Sequence, residues 1–472
     1  MMWVPRNVWP PWIAPHAKGA EAGWRATIIQ AMSAQPAINA AVYQSRRARL
    51  AAQLGNGVAI VPTAPEQIRN RDAHYPYRYD SYFYYLTGFR EPEAVLVVVG
   101  GEKPQHILFC REKKLDREIW DGYRYGPDAA KKTFAVDAAY CITELDARLP
   151  ELLADRSAVH VHLGADAVWD ARVLGWINTV RNRARSGVAA PNDIRDVRTL
   201  LDDMRLRKDE HEVALMRRAG DISGAAHRLA MQAARPGATE YEIEAVLQHE
   251  FRRSGAQAPA YTPIVAGGAN ACVLHYVENN APLADGDLLL IDAGCELDGY
   301  ASDITRTFPV NGRFSGPQRA VYELVLAAQA AAIAIVKPGT RWNEPHDAAV
   351  KVLAQGFIDL KLLAGTLDGV LEQETYKQFY MHRTGHWLGL DVHDAGEYKT
   401  NGAWRELQPG MVLTVEPGCY IRPAPGVPEG FADIGVRIED DALVTAQDCE
   451  ILSASAPKTV ADIEALMRDR RA

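Results

Sequence analysis

Two aspartates stand where apolar side chains are expected. The stretch 288–310 reads LLLIDAGCELDGYASDITRTFPV, with Asp292 closing one apolar run and Asp303 inside the next. A buried carboxylate is costly unless a charge or hydrogen bonds compensate it. Asp298-Gly299 is a two-residue hairpin signal, so Leu297 pairs with Tyr300 and the register follows outward. That register sets Asp292 opposite Thr305 and Gly294 opposite Asp303. Side chains alternate with period two, so Asp292 and Asp303 share a face as diagonal neighbours about 7–8 Å apart. Gly294 leaves room beside Asp303. Two carboxylates so placed repel, and one holds a proton unless a cation joins them.

The C-terminal half offers further candidates of the same kind. MHRTGHWLGLDVHD (381–394) carries His382, His386 and His393. LTVEPGCYI (413–421) places Glu416 in an apolar run before Pro417, and GVRIEDD (435–441) places Glu439 two residues after Arg437. LHYVEN (274–279) adds His275. Each alone is weak, because a lone histidine is usually an ordinary surface or core residue. Together they amount to two Asp, two Glu and an imidazole, an oxygen-rich set that suits Mn²⁺, Co²⁺ or Zn²⁺. Four carboxylates roughly neutralise two divalent ions. Two ions about 3.5–4 Å apart activate a bridging water and clamp a tetrahedral intermediate. Remaining histidines then serve as acids or hydrogen-bond donors.

Some framework must carry these groups. A chain of 472 residues exceeds one ordinary core, so two domains are expected. Residues 1–36 read as an irregular, proline-broken extension with no signal-peptide core. Over 37–203, helix 37–54 is followed by strands in GVAIVPTAP, AVLVVVGGEKPQHILFCREK and SAVHVHLG, alternating with helical patterns: an α/β domain. A charged amphipathic helix over 200–219 opens the second domain, 204–472. There Thr239 and Glu242 form a capping box for a helix over 239–254. Strands follow in YTPIVAGG, VLHYVEN, DLLLIDAG, ASDITRTFPV, MVLTVEPGCYI and VRIEDDALVT, with helices at 316–336 and 343–360. Hairpin-joined strands with helices make this domain α+β.

Several function classes are excluded by the bulk numbers. A net charge of -8 carries no nucleic-acid footprint, and no apolar run is long enough to span a membrane. The six cysteines form no CxxC pair and read as buried free thiols in a reducing, cytoplasmic setting. His160 and His162 share a strand face but have no third ligand nearby, so they read as core or surface residues. VRNRARSG (180–187) reads as a solvated helix end.

LLLIDAG, SDITRTFPV, HWLGLDVHD, TVEPGCYI and GVRIEDD together resemble the pita-bread metallopeptidases, and most closely their aminopeptidase P group. YPYRYDSYFYYLTGFREPEAVLV resembles the smaller amino-terminal domain of that group, so the likeness runs from near 37 to near 455. It implies a C-terminal pita-bread domain after an N-terminal α/β domain, and metal ligation by Asp292, Asp303, His386, Glu416 and Glu439. Asp303 and Glu439 would bridge two divalent ions, Mn²⁺ ahead of Zn²⁺ or Co²⁺, with Asp292 on one ion and His386 and Glu416 on the other. A hydroxide bridging the ions would attack the peptide bond before proline, and Glu416 would move its proton. His393 would bond the scissile carbonyl, His275 would lie near the substrate proline, His382 would line the pocket, and Arg437 would support the ligands through an acidic partner. The implied substrates are peptides with proline second, and the implied assembly is a homodimer or homotetramer. Tyr84 departs from a tryptophan common in the group, and Arg383-Thr384-Gly385 departs from its usual wording. Prolidase, an Xaa-Pro dipeptidase, shares all five ligand positions and is the alternative. A non-catalytic relative on this fold would be expected to have lost ligands, and methionine aminopeptidases usually lack the 37–200 domain.

Overall fold

A computed structural model of the chain describes residues 39–469. The extension read over 1–36 lies outside the described residues. The chain divides between Arg195 and Asp196 into two compact units.

The first unit is built on a six-stranded mixed sheet with helices. Its strands are β1 (Gly57–Pro62), β2 (Val95–Val99), β3 (Gln105–Cys110), β4 (Ala138–Cys141), β5 (Ala158–Val161) and β6 (Asp193–Asp196), in the order β4-β3-β2-β1-β5-β6. β2 runs antiparallel to both β1 and β3, whereas β1/β5 and β3/β4 are parallel. The central strands are apolar on both faces, as a covered sheet requires. Its helices include α1 (Ala40–Gln53), α2 (Ser81–Thr87), α3 (Leu145–Leu153) and α4 (Ala167–Arg181). Tyr84 in α2 is buried and stacks on Tyr79 with ring centroids 4.0 Å apart. His160 is buried without a hydrogen-bond partner on either ring nitrogen, and His162 packs edge-on against Tyr82. Neither joins a metal-competent cluster among the described residues.

The helix expected over 200–219 is two helices, α5 (Arg198–Leu206) and α6 (Glu210–Ala233). The break falls where the Lys208 amide N–H bonds Gly410 O and Asp209 caps α6 through the Glu212 amide N–H. α7 (Glu240–Arg253) starts at the expected capping box, with the Thr239 amide N–H donating to Glu242 Oε2 at 2.7 Å. The first strand group is β7 (Ala258–Pro259), β8 (Ile264–Gly267), β9 (Leu288–Asp292), β10 (Cys295–Leu297), β11 (Tyr300–Ala301) and β12 (Thr305–Pro309). Helices α8 (Gly316–Ile333) and α9 (Glu344–Asp359) follow. The second group is β13 (Val412–Val415), β14 (Gly418–Ile421), β15 (Ile434–Arg437), β16 (Asp440–Val444) and β17 (Cys449–Ile451). Sheets run β8-β9-β12, β11-β10-β7, β13-β16-β17 and β14-β15, and their neighbouring strands are antiparallel. α6 packs on α7 and covers β10 and β11, while α8 packs on α9 and covers β13 to β15. One apolar core joins both helix pairs to the strands.

The hairpin register is as expected: Leu297 pairs with Tyr300 and Asp292 with Thr305. Asp298 and Gly299 both take positive φ, 51° and 85°, the two left-handed residues of a tight hairpin turn. The hairpin is nevertheless interrupted between β9 and β10 and between β11 and β12. A side chain on Gly294 would collide with the Ser302 carbonyl, so only glycine lets the strands cross so closely there.

Two expected strands break in the same way. MVLTVEPGCYI is split at Glu416-Pro417 into β13 and β14, because proline has no N–H for the ladder. VRIEDDALVT is split at Ile438-Glu439 into β15 and β16. VLHYVEN forms no strand; its residues follow a short 3-10 turn (Gly268–Cys272) as irregular chain.

Candidate metal centre

The strand breaks and ends of the second unit deliver the reactive side chains. Asp292 ends β9, Asp303 lies between β11 and β12, Glu416 between β13 and β14, and Glu439 between β15 and β16. His386 belongs to the strand-free segment 381–394, held to β13 by the bridge Trp387–Leu413. A residue at a break turns its side chain out of the alternating ladder. Four sheets therefore aim at one point without burying carboxylates inside continuous strands.

That point is a cavity of about 700 Å³, lined by Asp292, Asp303, His386, Glu416, Glu439, His275, His382, His393 and Arg437. All nine site residues read from the sequence thus meet in one place. The tightest group is Asp303, His386 and Glu439, each offering an atom within 4.8 Å of the others. His386 Nε2 lies 3.4 Å from Asp303 Oδ2 and 3.7 Å from Glu416 Oε1. Its Nδ1–H donates to Trp387 O at 2.9 Å, which turns Nε2 toward the carboxylates. Asp292 and Glu416 stand at the margins of this group.

Arg437 has the acidic partner expected of it, and the partner is Asp292. Its Nη2 donates to Asp292 Oδ2 at 2.7 Å, its Nη1 to the Tyr420 hydroxyl at 3.0 Å, and its Nε to Thr305 Oγ1 at 3.1 Å. Thr305 in turn donates to Glu439 Oε2 at 2.6 Å. His382 Nδ1–H donates to Arg383 O at 2.7 Å, so neutral Nε2 accepts from the Tyr420 hydroxyl at 2.9 Å. Burial and the nearby Arg437 hold His382 neutral, with its pKa down at about 4. Both ring nitrogens are engaged by the protein.

Two contributors carried no signal in the sequence. The Tyr261 hydroxyl lies against both Asp292 Oδ1, at 2.6 Å, and Asp303 Oδ1. Asp441 Oδ2 accepts the backbone N–H of Asp303 at 3.1 Å and so fixes the break that presents it. Tyr261 is one of 19 tyrosines, and the pairings of β7 with β10 and of β8 with β9 on either side bring it here.

The electrostatics are those of an acidic cage. Burial raises Asp303, Glu416 and Glu439, and their mutual repulsion adds to it; Glu416 reaches about 7, although His386 and Arg437 pull it down. Burial alone would lower His386, but the hydrogen bond and charge of Asp303 and the charge of Glu416 outweigh it and lift His386 to about 9. The cage therefore holds extra protons at neutral pH, and a divalent cation entering it must displace them. Calorimetry of Mn²⁺ binding at pH 7 in buffers of differing ionisation enthalpy is expected to show net proton release, and affinity that weakens as pH falls through about 9, where His386 gains its proton, and further through about 7, where Glu416 does. Binding without proton release contradicts this picture.

Comparison with known proteins agrees with the geometry. Residues 214–446 match the model of metallopeptidase family M24, and residues 43–162 match that of the aminopeptidase P N-terminal domain. An Xaa-Pro aminopeptidase of Haemophilus influenzae is 46% identical over 427 residues, covering 90% of this chain and 96% of that protein. The Pseudomonas aeruginosa aminopeptidase PepP structure is 52% identical, with a TM-score of 0.90, covering 92% of this chain and 99% of that one. A zinc-substituted Escherichia coli aminopeptidase P in complex with product superimposes with a TM-score of 0.89 at 43% identity, over 92% and 99% of the two chains. Likeness at this level spans both units and the whole cavity-bearing half, so the chain belongs to metallopeptidase family M24, within its Xaa-Pro aminopeptidases.

Proposed function

We propose that this chain cleaves the bond before proline with two divalent ions held by Asp292, Asp303, His386, Glu416 and Glu439, Mn²⁺ ahead of Zn²⁺ or Co²⁺. The observation that carries this reading is the convergence of four carboxylates and a histidine, with Arg437 the one permanent cation bonded to them among the described residues. Charge of that sign and donors of that type fit hard-to-borderline divalent ions. Bound ions supply a water activated for attack near neutral pH and Lewis-acid help at the carbonyl.

The chain's own residues do the rest. Glu416, at the margin of the cluster in the cavity wall, takes up and passes on a proton at its carboxylate. His393, exposed at the cavity wall 4.3 Å from the His386 ring, donates a ring N–H to the scissile carbonyl as charge develops there. Ile264, Leu274, Val277 and Val392 form an apolar wall beside His275 that suits a proline ring, which has no amide N–H for a peptidase to bind. His382 acts as a fixed wall, since both its nitrogens are used. Arg437 holds Asp292 in place.

The six cysteines are all unpaired, four buried and Cys141 and Cys449 half-buried, which supports a reducing compartment such as the cytoplasm. Among the described residues no helix is long and apolar enough to cross a membrane. Homo-oligomerisation belongs to the same reading through the aminopeptidase P likeness.

The deciding experiment uses metal-depleted protein reloaded with Mn²⁺ and given Xaa-Pro dipeptides and Xaa-Pro-Yaa tripeptides. Tripeptide cleavage that appears only on reloading is expected. Cleavage confined to dipeptides supports the dipeptidase alternative instead.

A further inference from the structure

On the turn 386–394 sits an ion cluster that the chemistry above does not use. Arg205, in the last turn of α5, and Lys208, in the link to α6, have side chains only 1% exposed, as does Asp394. Arg205 Nη2 donates to Asp394 Oδ1 at 2.5 Å and to Asp391 Oδ2 at 2.7 Å. Lys208 Nζ donates to Asp394 Oδ2 at 2.8 Å. The Asp391 amide N–H also reaches Asp394 Oδ1, at 3.2 Å, and the Asp394 amide N–H donates to Trp387 O at 2.9 Å. The Asp394 carboxylate therefore gathers a helix end, an interhelix link and the Asp391 amide within the turn 386–394, while its own backbone N–H ties the turn back to Trp387. Gly389 is required by this packing, because a Cβ there would collide with the Asp394 carboxylate and lie 2.9 Å from Lys208 Cε.

The turn so gathered has one property that matters to the reaction. His386 and His393 stand at its two ends, and their rings meet at 4.3 Å inside the cavity. The segment has no regular secondary structure of its own to hold that spacing. Hydrogen-bonded ion pairs such as these, buried at Arg205, Lys208 and Asp394 and open to solvent at Asp391, fix geometry where hydrogen-bond ladders are absent.

We propose that Asp394, clamped between Lys208 and Arg205, is a positioning residue that sets the turn 386–394 so that His393 reaches the substrate carbonyl beside His386. This rests on the catalytic assignment of His393 given above. Asp394 touches no reacting atom; it acts through its neighbour.

The test is a double-mutant cycle on Mn²⁺-loaded full-length protein, with Asp394→Asn made alone and in a His393→Ala background. Asp394→Asn is expected to lower kcat about 10–100-fold, the range for lost support of a functional group, while KM moves less than about threefold. In the His393→Ala background the same change is expected to cost less than about threefold. Equal losses in both backgrounds, or no loss in the first, overturn the proposal. If Asp394→Asn does not fold, Asp391→Asn, whose side chain is 45% exposed, gives a milder form of the cycle. It is expected to lower kcat about threefold only when His393 is present, and no loss or an equal loss in both backgrounds overturns the proposal. A His393→Ala enzyme that keeps full wild-type activity would instead overturn the role given to His393, and is read separately. Mn²⁺ affinity, measured by calorimetry in parallel, is expected to weaken by less than about tenfold, because His386 keeps its bonds to Trp387 O and Thr414 Oγ1.

Discussion

Asp303→Asn is expected to lower kcat/KM on an Xaa-Pro-Yaa peptide by on the order of 10³-fold or more, beyond the 10–100-fold typical of losing only a supporting group. Asp303 belongs to the tightest cluster of the cavity, faces His386 at 3.4 Å and shares the Tyr261 hydroxyl with Asp292. Asparagine keeps the shape and the backbone bond to Asp441 but loses the charge and one acceptor oxygen. Mn²⁺ content, read by elemental analysis after dialysis, is expected to fall from two ions per chain to one or fewer. The size of the stability change separates this from damage to the fold. Burial raises the Asp303 pKa, so its ionised form opposes folding above the ordinary carboxylate range, whereas its pairing with His386 works the other way. With the two offsetting, the melting temperature of the metal-free protein is expected to move by no more than about 4 °C. Full activity with two ions bound would contradict the assignment.

Arg437→Met is expected to lower stability. Arg437 is 4% exposed, and its guanidinium is shared by Asp292, Thr305 and Tyr420. Methionine fills similar space but leaves Asp292 beside Asp303 and Glu439 without its cation. Breaking a buried pair in this way typically costs about 3–5 kcal/mol. Denaturant unfolding of the metal-free protein is expected to show a loss of that size. Mn²⁺ is expected to recover part of it, because added cations replace the lost charge and bind only the folded chain. Arg437→Lys is expected to recover less than half, since one ammonium cannot reach three acceptors from a planar fork. An unchanged unfolding midpoint would show that Asp292 is compensated by something else.

The chemistry of the site was more legible in the sequence than its scaffold. Asp298-Gly299 dictates a tight turn, and the turn dictates the register that places Asp292 against Thr305. Local rules sufficed there because both strands are close in sequence. The capping box at Thr239 is local in the same sense. Continuous strands through Glu416 and Glu439 were expected, and both are broken, because periodicity does not report where a sheet is interrupted to present a side chain. His275 lies on irregular chain where a strand was expected, yet it still lines the cavity. Tyr261, Asp441 and the Arg205–Lys208–Asp394 cluster depend on contacts up to 189 residues apart in sequence, which no local pattern encodes.

The most direct test of the central claim is anomalous diffraction from crystals of the full-length protein grown with Mn²⁺. Two anomalous peaks about 3.5–4 Å apart are predicted, enclosed by Asp292, Asp303, His386, Glu416 and Glu439. A single peak, or peaks elsewhere with these five side chains left in their mutual hydrogen bonds, would contradict it.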